Sequence, residues 1–319
     1  MRIGVSGVGS IGQRHVRLLR DLPGVTVTVF DAVAPDLPGG IAVVETFPAL
    51  LDAGLDGLVV ATPDAAHAEQ TVEAVRRAIP VLVEKPLADS LAAAREVADA
   101  ARRHKAPVLV GYVLRHYAVA ARVREILADG AIGTPVSAHA SLGAYETLRL
   151  ARNRFAAAAD YRLPYDYSHE WDYLQWFLGP IDQVAAVARE AGELPLSQHP
   201  NLINGVFTMS SGVTGTFHLD YVQDGGGRRL EVVGDRGTLR ADLAGGSVRV
   251  RAHGGNLTRE YDCAEHRDAA FTRQLGHFQD VITGLSAPLV TVHDGVRAIA
   301  VADAVVAACR SGGWQPVAA

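Results

Sequence analysis

Lys85 and His169 are the two side chains of this chain best suited to move charge at a reacting carbon–oxygen bond. Lys85 stands in Glu84-Lys85-Pro86, directly after the apolar run 80–83. A lysine at a strand end can donate to a substrate hydroxyl or carbonyl and stabilise negative charge on that oxygen during hydride transfer. Pro86 stops the strand and fixes how Lys85 is aimed. Taken alone, Lys85 is better explained as a surface lysine at a strand end; combined with the glycine turn upstream it reads as functional. His169 lies in Tyr165-Asp166-Tyr167-Ser168-His169-Glu170-Trp171-Asp172. Its imidazole titrates near neutrality and can take the alcohol proton as hydride leaves carbon. Asp166 and Asp172, three residues to either side, are spaced to orient the ring and favour its charged form. Each also has a structural use, Asp166 as a helix N-cap and Asp172 as the partner of a surface cation. The spacing predicts a helix over 166–178. On it Tyr165, His169, Asp172 and Trp176 share one stripe, and Tyr167, Trp171, Leu174 and Leu178 form an apolar one.

Gly7-Val8-Gly9-Ser10-Ile11-Gly12 follows the apolar run 2–6 and opens a helical stretch, Gln13 to Asp21. Strand, tight turn and helix start, in that order, make a place to hold a pyrophosphate. Unpaired amides and the positive dipole end of a helix favour an anion there. Gly7 permits the turn, Gly9 lets the phosphate approach the backbone, and Gly12 lets the helix pack on its strand. Ser10 and Ile11 complete that cofactor-binding set. A second apolar run, 25–30, ends at Asp31, 19 residues beyond Gly12. A carboxylate at about that distance is the expected partner of adenosine ribose hydroxyls. Its charge would repel a 2′-phosphate, and no arginine follows it immediately, so NAD is expected in preference to NADP. Asp64, after Thr62-Pro63, is a natural helix N-cap. Ala61, Thr62, Pro63 and His67 are expected to border the dinucleotide because they follow a strand end.

These residues must be carried by a strand–helix alternation. Runs at 2–6, 25–30, 57–61, 80–83 and 107–111 read as buried strands, and 10–21, 46–53, 64–78 and 89–104 have helical spacing. That pattern means a doubly wound parallel sheet, with ligands at the carboxyl ends of its strands. After about residue 120 the rhythm changes. A helix near 117–129 stops at Gly130-Ala131-Ile132-Gly133. Beyond the helix at 166–178 come β-branched runs at 181–188, 203–209, 213–221, 228–233, 237–242 and 246–251, which suggest antiparallel strands. Helical tracts at 264–284 and 293–311 close the chain. The expected organisation is α/β, with residues 1–120 binding a dinucleotide. Residues 121–319 form an α/β substrate and oligomerisation domain on a largely antiparallel open sheet. An open face of that size suggests a homo-oligomer.

At 319 residues the chain can build two cores, and 49% hydrophobic with 20% charged residues is ordinary for a globular protein. A formal net charge of -5 gives no general attraction to nucleic acid or an anionic membrane, which points to a small-molecule partner. Cys263 and Cys309 lack metal-ligand spacing, so no metal site is expected and a reducing cytoplasm fits. The N-terminus has no signal-peptide layout, and the alanine-rich tracts 91–101 and 296–309 are too polar to span a bilayer.

Taken together, GVGSIGQRH, ATPDAAH, VLVEKPLA, VGYVLRHY and DYSHEWDYLQWFLG resemble, in order and spacing, the glucose–fructose oxidoreductase/inositol dehydrogenase/rhizopine-catabolism (Gfo/Idh/MocA) family. The likeness covers nearly the full chain. It implies an N-terminal Rossmann domain, a C-terminal sheet that mediates homodimers or homotetramers, and NAD(P)-dependent oxidation or reduction of a sugar, cyclitol or related polyol. By position it implies Lys85 and His169 as the catalytic pair, with Asp172 lining the substrate pocket. It places Glu84 near the nicotinamide ribose and Arg115 near the cleft. Tyr165 stands where many members have aspartate, and Asp166 supplies the carboxylate one residue later. Arg149, Arg152, Arg154 and Arg162 offer forked donors to a substrate carboxylate or phosphate, or form a solvated loop or subunit contact. That loop motivates a second enzymatic reading, a reductase of a nucleotide-linked keto sugar. A third reading keeps the dinucleotide site for sensing or partner binding without turnover.

Overall fold

Five short, mostly apolar and buried runs, with a two-residue exposed edge strand, build the first sheet. The computed structural model describes residues 1–33, 37, 39–146, 160–192, 199–254 and 258–318. Strands β1 (Arg2–Ser6), β2 (Thr26–Phe30), β3 (Ala42–Val43), β4 (Gly57–Val60), β5 (Val81–Val83) and β6 (Val108–Val110) lie in the order β3-β2-β1-β4-β5-β6. All pairings are parallel, as continuous apolar strands require. Helices α1 (Ser10–Arg20), α2 (Phe47–Leu51), α3 (His67–Arg76) and α4 (Leu91–His104) connect them. Thr46 and Ser90 cap α2 and α4 by accepting the amides of Ala49 and Ala93. Asp64 opens a short 3-10 turn, Asp64–Ala66, and α3 begins only at His67.

The second sheet starts with a strand that the sequence reading does not contain. After α5 (Ala118–Ala128), β7 (Pro135–Gly143) takes the centre of nine strands, with β10 parallel to it and β11 antiparallel. Between β7 and the rest lie a short helical turn, α6 (Leu163–Asp166), and α7 (His169–Leu178). Then follow β8 (Ile181–Arg189), β9 (Leu202–Met209), β10 (Thr214–Asp220), β11 (Arg228–Gly234), β12 (Gly237–Asp242), β13 (Ser247–Ala252) and β14 (Thr258–Asp262). The chain ends with α8 (Arg267–Ile282), α9 (Val292–Ser311) and β15 (Gln315–Pro316). The sheet order is β14-β13-β12-β11-β7-β10-β9-β8-β15. Trp171 of α7 packs edge-on against Phe217 of β10, their centroids 5.0 Å apart, which fixes which face of this sheet is inside.

The compact units do not follow a single cut at residue 120. Met1–His116 joins His266–Ile299, and Tyr117–Glu265 joins Ala300–Ala319. The reason is packing: Phe278 and Ile282 of α8 sit where any side chain at Gly57 of β4 would go. Thr291 also pairs with Leu109 of β6. Among the described residues, no helix is long and apolar enough to cross a membrane.

Candidate active site

Gly9 is the N-cap of α1 and brings no side-chain cap, which leaves the helix's first amides without a side-chain partner. A Cβ at Gly9 would meet nothing within 4 Å, so the turn opens onto space. Gly7 is different: it has φ +85°, and a Cβ there would lie 2.6 Å from the Thr62 amide nitrogen. At Gly12 a Cβ would lie 1.9 Å from the Gly7 carbonyl oxygen. Two glycines are therefore demanded by packing and one by the space it leaves free. That cradle fits a pyrophosphate. Asp31, at the end of β2, accepts from the Val8 amide at 2.5 Å and from the Val33 amide at 2.9 Å. Its carboxylate thus braces the glycine turn from the side expected to meet the ribose.

Register brings the other strand ends to the same edge. Ser6 pairs with Val60 and Val60 with Val83, so Gly7, Ala61-Thr62-Pro63 and Glu84-Lys85 all follow the carboxyl ends of adjacent strands. Glu84 is half-buried, and its carboxylate lies 2.7 Å from His15 Nε2. Burial alone would raise its pKa; the hydrogen bond and charge of His15, with the charges of Lys85 and His67, hold it below the usual carboxylate range. His67 is also buried, with Nδ1 2.7 Å from the Pro86 carbonyl oxygen and Nε2 2.8 Å from that of Thr62. Glu84 is turned to His15, and His67 ties two strand-end loops together. The Arg115 guanidinium is buried, donating to the Leu289 carbonyl at 3.0 Å and lying 3.2 Å from the Asp294 carboxylate, at the start of α9.

In the second unit the helix expected over 166–178 is broken. Pro164 lies in the first turn of α6, Tyr167 ends that turn with φ −99° and ψ 28°, and α7 starts at His169. The break separates Tyr165 from the stripe. Its hydroxyl donates to Asp303 of α9, and burial followed by that carboxylate raises its pKa. Asp166 is buried and accepts from Arg162 at 3.0 Å and from the Tyr221 hydroxyl at 2.7 Å. His169 is half-buried at the first position of α7, and Asp172, one turn on, is 1% exposed. The expected apolar stripe is real: Tyr167, Trp171, Leu174 and Leu178 are all buried. Arg149, Arg152, Arg154 and the run Ala156 to Ala159 lie outside the described residues.

Several polar partners were not legible from spacing. His15, three residues past Gly12, carries a signal in its place on the buried face of α1. Glu170 and Arg228, 2.7 Å apart, form a buried ion pair beneath α7. Tyr221 and Asp303 reach their partners across 55 and 138 residues. Among the described residues, no group of three or more His, Cys, Asp or Glu is gathered to hold a metal ion.

Comparison with known proteins places this geometry. Residues 1–112 match the oxidoreductase family with an NAD-binding Rossmann fold, and residues 120–240 match the GFO/IDH/MocA C-terminal domain. An inositol 2-dehydrogenase of Saccharopolyspora erythraea is 31% identical over 100% of this chain and 96% of its own length. A 1,5-anhydro-D-fructose reductase of Ensifer adhaerens is 30% identical over 82% of this chain and 79% of its own. The fold is shared with an oxidoreductase from Agrobacterium radiobacter solved with NAD+, L-tartaric acid and magnesium, at TM-score 0.88 and 18% identity, over 99% of this chain and 98% of that one. The parallel sheet with its glycine turn, the second mixed sheet and the full-length likeness agree: this chain belongs to the GFO/IDH/MocA family of oxidoreductases and is a dehydrogenase or reductase.

Proposed function

We propose that this enzyme uses NAD to interconvert a secondary alcohol and a ketone on a cyclitol or sugar. One observation carries the reading: Asp31, the glycine cradle, Ala61-Thr62-Pro63 and Lys85 follow the carboxyl ends of four successive strands of one parallel sheet, β2, β1, β4 and β5. Gly7, Gly9, Ser10, Ile11 and Gly12 hold the pyrophosphate, and Asp31 accepts from the adenosine ribose hydroxyls. Bound nicotinamide supplies the hydride acceptor or donor. The Lys85 ammonium stabilises negative charge on the reacting oxygen, and His169 takes or returns the hydroxyl proton. Asp172 binds a substrate hydroxyl. The names of the 31% and 30% identical relatives support a cyclitol or anhydro sugar as substrate.

The test is a screen of inositols, anhydro sugars and free sugars with NAD and NADP, followed by nicotinamide absorbance. Turnover of a polyol or its ketone is expected, with NAD bound more tightly than NADP. No turnover across the panel despite NAD binding would refute the enzymatic assignment, and tighter NADP binding would refute the role given to Asp31.

A further inference from the structure

We propose that His15 and His67 are positioning residues for Lys85: His15 grips the preceding residue by its carboxylate, and His67 grips the following one by its carbonyl. The inference rests on the role of Lys85 proposed above. The two imidazoles are 0% and 2% exposed and come from different helices, α1 and α3, yet both end on Glu84-Lys85-Pro86. Backbone bonds hold the same tripeptide from below, with the Glu84 amide donating to Val60 at 2.9 Å. Room for the Glu84 side chain exists only because residue 111 is glycine. A Cβ there would lie 2.9 Å from both the Glu84 Cα and its Oε2.

The second argument is geometric. Both His67 nitrogens face carbonyl oxygens, that of Pro86 at 2.7 Å and that of Thr62 at 2.8 Å, so one buried ring spans the two strand-end loops that follow β4 and β5. The titratable groups acting on Glu84 are His15, Lys85 and His67. The coupling by which Lys85 favours the Glu84 carboxylate works in reverse, so the carboxylate favours the Lys85 ammonium.

Composition adds a third point. Of 30 lysines and arginines, only Lys85 and Lys105 are lysines. A chain that builds its positive charge from arginine keeps at residue 85 the cation whose protonation an environment can set.

The same scarcity makes the test clean. Protein labelled with 13C-lysine gives two lysine side-chain signals, with Lys105, at the end of α4, as the internal control. In Glu84→Gln the Lys85 signal should titrate about one pH unit lower than in wild type. In His15→Leu and His67→Leu it should be displaced or broadened, with Lys105 unmoved throughout. In turnover, the two Leu variants should lose between about tenfold and a hundredfold in kcat. The KM of His15→Leu for NAD should stay within about twofold, and His15→Gln and His67→Gln, which restore one donor, should recover part of the rate. If a Leu variant does not fold, Glu84→Gln and the Gln variants still decide the matter. A Lys85 signal identical to wild type in every folded variant overturns the proposal, even where wild type is active. A signal that moves as stated, in a protein that turns over no inositol or anhydro sugar, upholds the grip on Lys85 and refutes the enzymatic assignment.

Discussion

His169 begins α7 instead of sitting midway along a longer helix. In the proposed mechanism this ring takes the hydroxyl proton. General acid–base help is worth on the order of 10² to 10⁴ in rate. His169→Ala should therefore lose turnover on that scale while its NAD dissociation constant, measured by fluorescence titration, stays near wild type. A near-normal kcat would remove His169 from the mechanism. The glycine turn and the strand ends that carry Asp31 and Lys85 were legible because their demands are local. Partners such as Tyr221 for Asp166 and Asp303 for Tyr165 were not, since no periodicity links residues so far apart.

At the scale of elements, five of the six strands of the first sheet were readable almost to the residue because buried parallel strands are unbroken apolar runs, while β3, two exposed residues long, gave no such run. The strand β7 escaped for the opposite reason. Its outward positions are Ser137, His139 and Ser141 and its inward ones Ala138 and Ala140, so it shows no β-branched run. The ion pair under α7 escaped because Glu170 sits in an otherwise apolar helix face. Burial opposes the Arg228 charge, and Glu170 more than offsets it, leaving the guanidinium pKa raised. Removing one partner strands a buried charge, so Arg228→Met should cost about 3–5 kcal/mol in urea unfolding, and Glu170→Leu with Arg228→Met together distinctly less. A single replacement as mild as the double one would mean that the pair is not held in a dry site.

A second element-scale consequence concerns pH. Burial, with the neighbouring His277, Arg273 and Arg115 adding to it, pushes His116 from 6.5 down to about 4. In that window the unfolded chain binds a proton that the folded chain refuses. Stability should fall as the pH drops from about 6.5 to about 4, by at most about 3 kcal/mol from this group. His116→Gln should flatten that slope in urea midpoints measured across the window. An unchanged slope would assign the acid sensitivity to other groups.

At the scale of the whole molecule, one face of the second sheet has no helix of the described chain to account for its chemistry. Register sets Ala185, Val206, Thr216, His139, Glu231, Arg240, Arg249 and Glu260 side by side across eight strands. One half of that row, Ala185, Val206, Thr216 and His139, has no carboxylate, lysine or arginine, and the other is a run of paired charges in which Arg240 meets Glu231 and Arg249 meets Glu260. Val187 is 68% and Val206 38% exposed in the first half. Eight strands about 4.8 Å apart and averaging about seven residues of about 3.3 Å present roughly 800 Å². That is the area one partner contributes to a stable interface of ordinary size. We propose that a second copy of the chain covers it, as the alternation of exposed and buried residues along β8, β9 and β10 allows. Val187→Asp with Val206→Asp would place two carboxylates in that contact without touching the glycine cradle or α7. Light scattering after size exclusion should then show the mass fall to that of one chain, with NAD affinity kept. A wild-type protein that is already a single chain at micromolar concentration would show instead that this face is left to solvent.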